Sequence, residues 1–303
     1  MSHDQLSKSL ISTFFYDFLR LAVPDSAPRL RPGEATFLDK ELFSDWPSGN
    51  RREPDLLAQV PLEAGEVPVL VHIEIETEAR AGMDQRLWRY YMQIRLRYKL
   101  LVLTILVNLR GGRPGVGVET LEEGVEATPP VVFPYRVLGL SGCQAEDWLS
   151  RPEPVAWAFA ALMRPGAWTP AELKMACLRR VARSEVTGFR KEVLTNWIET
   201  YVQFSEEDAA EFRQLLALEE NKEVQEMELT WLEQAEARAE ERVTRRDVEL
   251  LRRKVLRLVE RRFGAVPKPV QEHLEAIDSM EPLTDVIEKI AFVQSAEELV
   301  GSD

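Results

Sequence analysis

Val71-His72-Ile73-Glu74-Ile75-Glu76 alternates apolar and ionisable residues without a break. A strand sends successive side chains to opposite faces. The stretch therefore predicts a strand with His72, Glu74 and Glu76 on one face and Val71, Ile73 and Ile75 on the other. Three ionisable groups on one face of a strand inside an apolar run are costly unless something neutralises them. A hard divalent cation would do so, because it takes oxygen ligands; a solvated sheet face is the plainer alternative. His72 is then either a core histidine beside the site or a partner to its carboxylates. Upstream, Arg51-Arg52-Glu53-Pro54-Asp55 closes a polar turn, and an apolar run begins at Leu56. The spacing from Asp55 to Glu74 suits a hairpin that sets Asp55 beside Glu74 on the neighbouring strand.

Working outward, Leu10, Ile11, Phe14, Phe15, Phe18 and Leu21 recur at helical spacing and predict one amphipathic helix over roughly 5–22. Short strands are expected over 36–42, 55–60 and 68–76, with a turn at Trp46-Pro47-Ser48-Gly49-Asn50. A helix follows over 81–99. Leu100 to Leu109 is almost wholly apolar, which suits a buried central strand. Residues 113–130 carry clustered Gly, Pro and Glu and read as an exposed loop, and Val131 to Leu140 as a last or edge strand. Beyond about residue 150 only helical patterns remain, over 152–163, 169–183 and 185–204. From Glu206 to Phe263 there is neither Pro nor Gly, which predicts an extended helix or coiled coil, and helices near 269–277 and 282–298 close the chain. Four segments result: an α/β domain over 1–142, a helical subdomain over 143–205, the long helix over 206–263 and a small helical segment over 264–303.

An aspartate, a hairpin and then Glu-x-Lys is the pattern of the PD-(D/E)xK nuclease superfamily. The ordered set of segments here resembles its recombination-promoting, transposase-like nuclease branch. The matching residues are His3-Asp4 with Lys8, Phe37-Leu38-Asp39-Lys40-Glu41, Arg51 to Leu57, His72-Ile73-Glu74-Ile75-Glu76, Arg86-Leu87-Trp88-Arg89-Tyr90-Tyr91 and Leu106-Val107-Asn108-Leu109-Arg110-Gly111-Gly112. Leu256 to Gly264, followed by a proline-marked turn, is similar to a small helical domain of unknown function often appended to such proteins. The resemblance implies a restriction-endonuclease-like α/β fold, a mixed sheet flanked by helices, followed by an all-α extension with a long helix. It also implies a metal-dependent DNA endonuclease acting in DNA recombination. Asp55 and Glu74 would bind Mg²⁺ or Mn²⁺, and Glu76 would complete the catalytic set. Asp17, near where the superfamily's first helix contributes an acid, is either an additional acid or an ordinary helix charge.

One departure matters. The superfamily places Lys two residues after the glutamate and this branch commonly has Gln, but this chain has Glu76. Lysine holds the attacking water or stabilises developing charge. A carboxylate supplies no positive charge, and could instead ligate a second cation or act as a base. A catalytically impaired nuclease fold, serving as an oligomerising interaction module through its acidic helical arm, is therefore the competing expectation.

The net charge of -13 argues at first against nucleic acid, since affinity for DNA comes largely from Lys and Arg neutralising phosphate. The charge is unevenly spread. Between 81 and 113 the basic residues Arg86, Arg89, Arg95, Arg97, Lys99, Arg110 and Arg113 face a single acid, Asp84. Arg86, Arg89, Gln93 and Arg97 share one helical stripe, suited to a DNA backbone or simply to solvent, and Leu87, Tyr91, Ile94 and Tyr98 share another, suited to core. Cys143 and Cys177 fit neither a disulfide framework nor a zinc site. Neither a phosphate-binding loop nor a Ser-His-Asp set is evident. Without a membrane-length apolar run or a targeting segment, a cytoplasmic protein is expected, with DNA as a weak, salt-dependent partner and self-association through the long helix.

Overall fold

A computed structural model of the chain describes residues 3–31, 35–38, 54–62, 67–125, 131–290 and 292–300. The expected turn at 46–50, most of Phe37-Leu38-Asp39-Lys40-Glu41 and Arg51-Arg52-Glu53 lie outside the described residues. The chain divides into two compact units, Met1–Met227 and Glu228–Asp303.

The first unit is α/β, with a mixed sheet between helical layers. Its strands are β1 (Thr36–Phe37), β2 (Leu56–Val60), β3 (Val69–Glu78), β4 (Val102–Arg110), β5 (Gly115–Glu123) and β6 (Val131–Gly139). They are ordered β1-β2-β3-β4-β6-β5. β2 and β3 are antiparallel, β3, β4 and β6 are parallel, and β5 returns antiparallel to β6. The helix expected after β3 is α3 (Met83–Tyr98), which provides the crossover that a parallel pair requires. Strand alternation divides the sheet's side chains cleanly. Leu56, Ala58, Val71, Ile73, Ile105, Val107 and Leu138 join the main core with the helices of the other layer, while Leu57, Leu70, Leu106, Phe133 and Val137 pack in clusters with residues of α3.

Three sequence expectations need correction. The first helix is two, α1 (His3–Thr13) and α2 (Phe15–Ala22), broken at Phe14 with φ -113° and ψ 37°. Phe14 and Phe15 are both buried, yet neighbours on one straight helix point about 100° apart; the break lets both reach the core. Residues 113–130 are not all loop, for Gly115–Glu123 forms the edge strand β5. Only Leu121 of that strand is buried, so its composition resembles a loop's, and the extended conformation is held by the β6 ladder. β6 is consequently internal rather than an edge.

The third correction is the uninterrupted helix over 206–263. It is α8 (Glu206–Leu216), a 3-10 turn (Glu219–Asn221) and α9 (Lys222–Phe263). No Pro or Gly marks the break. Buried Asn221 makes it instead, donating from Nδ2 to the Leu215 carbonyl at 2.7 Å and accepting from Arg179 Nε and Nη2 at 3.0 and 2.7 Å. Preceding helices α4 (Ala145–Leu149), α5 (Pro154–Ala160), α6 (Pro170–Ala182) and α7 (Gly188–Tyr201) complete the layer, and buried residues of α4 to α8 belong to the same core as β3 and β4. Cys177 is buried and Cys143 half-buried, both as free thiols.

In the second unit, α9 contributes Val248, Val255 and Val259 to a small core with residues of α10 (Lys268–Ala276) and α11 (Met280–Ile290). Among the described residues no helix is long and apolar enough to cross a membrane.

Candidate functional site

The register of the sheet brings Asp55 to Glu74. Leu56 pairs with Ile73 across the antiparallel β2–β3 ladder, so Asp55, one residue earlier, stands opposite Glu74. Two bonds hold the pair. The Asp55 main-chain N–H donates to Glu74 Oε1 at 3.0 Å, and Asp55 Oδ2 accepts from the Ile75 N–H at 2.8 Å. The alternation in β3 is realised as expected: Val71 and Ile73 enter the main core, while His72, Glu74 and Glu76 turn to the side that α3 covers. His72 and Glu74 are 0% exposed and Glu76 is 7% exposed. A solvated sheet face is therefore the wrong description of these residues.

These three are part of a longer polar band. In the parallel β3–β4 register His72 pairs with Thr104 and Glu76 with Asn108, and both partners are buried. The band lies between two apolar clusters beneath α3, one around Leu87, Leu106 and Phe133 and the other around Leu57, Leu70 and Ile94. Buried polar atoms ordinarily find hydrogen-bond partners. Here, among the described residues, His72 Nδ1, Glu74 Oε2, Arg86 Nε, Thr104 Oγ1 and Asn108 Oδ1 have none. That concentration of unmet hydrogen-bonding capacity in one place distinguishes the band from ordinary core.

Positive charge reaches the carboxylates from two helices and from the segment between β3 and α3. Lys8 on α1 sits 2.9 Å from Asp55 Oδ1 and 2.7 Å from Asp4. Arg86, in the first turn of α3, lies across both strand glutamates: Nη1 donates to Glu76 Oε1 at 2.8 Å, and Nη2 stands 2.7 Å from Glu74 Oε2. The second contact is an ion pair without hydrogen-bond geometry, since Glu74 Oε2 has no hydrogen-bond partner. Arg80 approaches Glu76 Oε2 at 3.7 Å. The remaining Glu74 oxygen faces His72 Nε2 at 3.2 Å, and the His72 ring meets Tyr90 edge-on with centroids 5.3 Å apart.

Burial is the main cause that pushes the Asp55 carboxyl up from its ordinary value, with the Glu74 charge adding to it and Lys8 opposing it. The Lys8 ammonium is disfavoured by burial, but Asp4 and Asp55 outweigh that and raise its pKa. The Arg86 pKa is likewise raised, burial being offset by Glu74 and Tyr90. Beside the band opens a cavity of about 250 Å³, lined in part by Arg80, Gly82, Asp84, Asn108, Glu119 and Tyr135. Gly112, which also lines it, has φ 74°, a backbone conformation that favours glycine, and a Cβ there would lie 3.0 Å from Asn108 Nδ2.

Other expected site residues are not brought to this place. Asp17 lies on α2 against Arg190 of α7, 3.7 Å away, and makes no contact with Asp55 or Glu74; burial raises its carboxyl pKa. The basic stripe does not act as one surface. Arg86 turns inward to the carboxylates, whereas Arg89 and Arg97 are exposed and Gln93 is half-buried. Sequence reasoning placed Lys8 only within a resemblance and gave no site role to Tyr90, Thr104 or Asn108. For the strand pair the signal was present, because Thr104 and Asn108 are polar exceptions at an even spacing inside an apolar strand.

Among the described residues no group of three or more His, Cys, Asp or Glu side chains is arranged to hold a metal ion. The chemistry of the donor set nevertheless suits a cation, being carboxylate oxygens at one end of a strand pair, and a guanidinium stands on them as a cation of the chain's own. Comparison with family models, with curated proteins and with solved structures found no match to the chain.

Proposed function

We propose that the chain is a metal-dependent endonuclease of the restriction-endonuclease-like kind that cuts DNA. The main support is the pair of half-buried Asp55 and fully buried Glu74 where the β2–β3 ladder ends, locked by main-chain bonds and faced by Lys8 and Arg86. Asp55 and Glu74 would hold Mg²⁺ or Mn²⁺. Such an ion lowers the pKa of water and stabilises charge on a phosphoryl oxygen. The chain's own residues then divide the remaining tasks. Lys8 orients Asp55, His72 orients Glu74, and Arg86 supplies the positive charge that Glu76 does not. Exposed Arg89 and Arg97 would meet the phosphate backbone, giving weak and salt-dependent binding.

One observation favours the competing reading, a nuclease fold turned interaction module. Lys8, Arg86 and the Ile75 N–H already engage Asp55, Glu74 and Glu76, so the carboxylates are neutralised without a metal. Self-association through α9 would then be the main property of the chain. A plasmid-nicking assay in Mg²⁺ or Mn²⁺, run beside Asp55→Ala, separates the two. Metal-dependent nicking that Asp55→Ala abolishes supports the nuclease; nicking by neither protein transfers the assignment to the interaction module.

A further inference from the structure

A fully buried carboxylate must be neutralised in every state of the protein, because an isolated charge in low dielectric is far too costly to persist. Glu74 is 0% exposed. Its Oε1 is satisfied locally, by the Asp55 N–H and His72 Nε2. Among the described residues its Oε2 has no hydrogen bond, and its one cationic neighbour is Arg86 Nη2 at 2.7 Å. The same guanidinium closes on Glu76 through Nη1. A divalent ion on that Glu74 oxygen would stand within a few ångströms of the guanidinium, and two cations at that separation repel strongly away from bulk water.

Arg86 is also built to leave. Its side chain is 28% exposed, against 0% for Glu74, so one end of it already borders solvent. It springs from the first turn of α3, and apart from the two glutamates its guanidinium is held by Tyr90, whose ring centroid lies 5.6 Å away. A guanidinium released from two carboxylates is matched in shape and charge to a phosphodiester, which it can grip with two parallel N–H groups.

We infer that Arg86 is the resting counter-ion of this site and exchanges with a divalent cation: it holds Glu74 and Glu76 when no metal is present, and swings out as metal arrives. The inference rests on the metal-binding reading above and adds its control. It explains why Glu76, which cannot replace a lysine, is kept in contact with an arginine from the helix. Glu76 is the second anchor of the latch.

The test is calorimetric titration of Mn²⁺ into the full chain, with cleavage scored separately. Arg86→Gln removes the competing charge and should bind Mn²⁺ about tenfold or more tightly than the parent chain, a modest demand for losing one close like charge. Asp55→Ala should bind Mn²⁺ weakly or not at all. Should Arg86→Gln fail to fold, Arg86→Lys keeps the charge on a single ammonium that cannot span both glutamates as the guanidinium does, and a smaller gain in Mn²⁺ affinity is expected from it. Equal or weaker binding by these variants overturns the exchange, even if the parent chain cleaves DNA. Tighter binding without cleavage upholds the exchange and removes the nuclease. Absence of Mn²⁺ binding in every protein overturns both.

Discussion

The main-chain N–H of Asp55 donates to Glu74 Oε1 while the Asp55 carboxylate accepts from the N–H of Ile75. One residue at the head of β2 thus ties together the backbone and the buried side chain of β3. The pair is positioned by the sheet ladder itself, and it stays positioned only as long as β2 and β3 keep their register. A slip by one residue would turn Glu74 into the main core.

Removal of Arg86 should disturb the fold strongly for a partly exposed residue. Arg86→Ala leaves Glu74 buried with no cation, and breaking such a pair costs about 3 kcal/mol or more. Urea unfolding should show that loss, with Arg89→Ala within about 0.5 kcal/mol of the parent because it is an exposed substitution. Equal stability of the two variants would mean that the Arg86 contact contributes nothing to holding Glu74 in the fold.

Asp55 should show a trade between stability and function. Its carboxyl pKa is raised, mostly by burial and further by Glu74, even with Lys8 opposing. The folded protein therefore holds this proton more tightly than the unfolded chain does. The resulting stability is fully present below the ordinary value of 3.8 and is lost as pH rises through the folded-state value. Asp55→Asn keeps an oxygen for the Ile75 N–H and removes the charge. Its melting temperature should exceed the parent's at pH 7, with the gap closing toward about pH 4, while metal binding falls by about a hundredfold or more. A lower melting temperature at pH 7 would show that the Lys8 contact outweighs burial.

DNA binding should separate the two arginines that the sequence places on one stripe. Arg89→Glu, on the exposed side, should weaken duplex binding and reduce the log–log salt slope by about 1. Without metal, Arg86→Gln should leave that slope unchanged, because the guanidinium is occupied by Glu74 and Glu76. Fluorescence anisotropy over a salt series reads both.

The C-terminal unit has its own core, so it should melt on its own. Leu274 is 0% exposed among Val248, Val255, Val259 and Leu283. Leu274→Ala should cost about 2–5 kcal/mol, enough to unfold so small a unit. Calorimetry should then lose one transition and keep the transition of the α/β unit, and a single shifted transition would deny that independence.

Much of the sheet was legible in the primary structure, and the reasons are local. The period-two alternation from Val71 to Glu76 places three ionisable side chains on one face whatever the fold, and the apolar run from Leu100 to Leu109 has the composition of a buried parallel strand. The crossover helix between them follows from its two faces. The elements that differ from the sequence expectation lack a local signal. β5 is a loop by composition and a strand by its pairing with β6. The helix break near Asn221 has no Gly or Pro, and depends on Arg179, 42 residues away.

The candidate site shows the same division. Alternation and hairpin spacing were enough to select Asp55, Glu74 and Glu76 from the sequence, because strand periodicity and turn length act over a few residues. Burial of Glu74, the arrival of Lys8 from α1, the inward turn of Arg86 and the separation of Asp17 onto Arg190 were decided by tertiary structure alone. A side chain's charge is written in its sequence, but its partner is chosen by which elements pack together. Arg86 and Arg89 differ by less than one helical turn, and that rotation, set by the packing of Leu87 and Ile94 on the sheet, sends one guanidinium to buried carboxylates and the other to solvent.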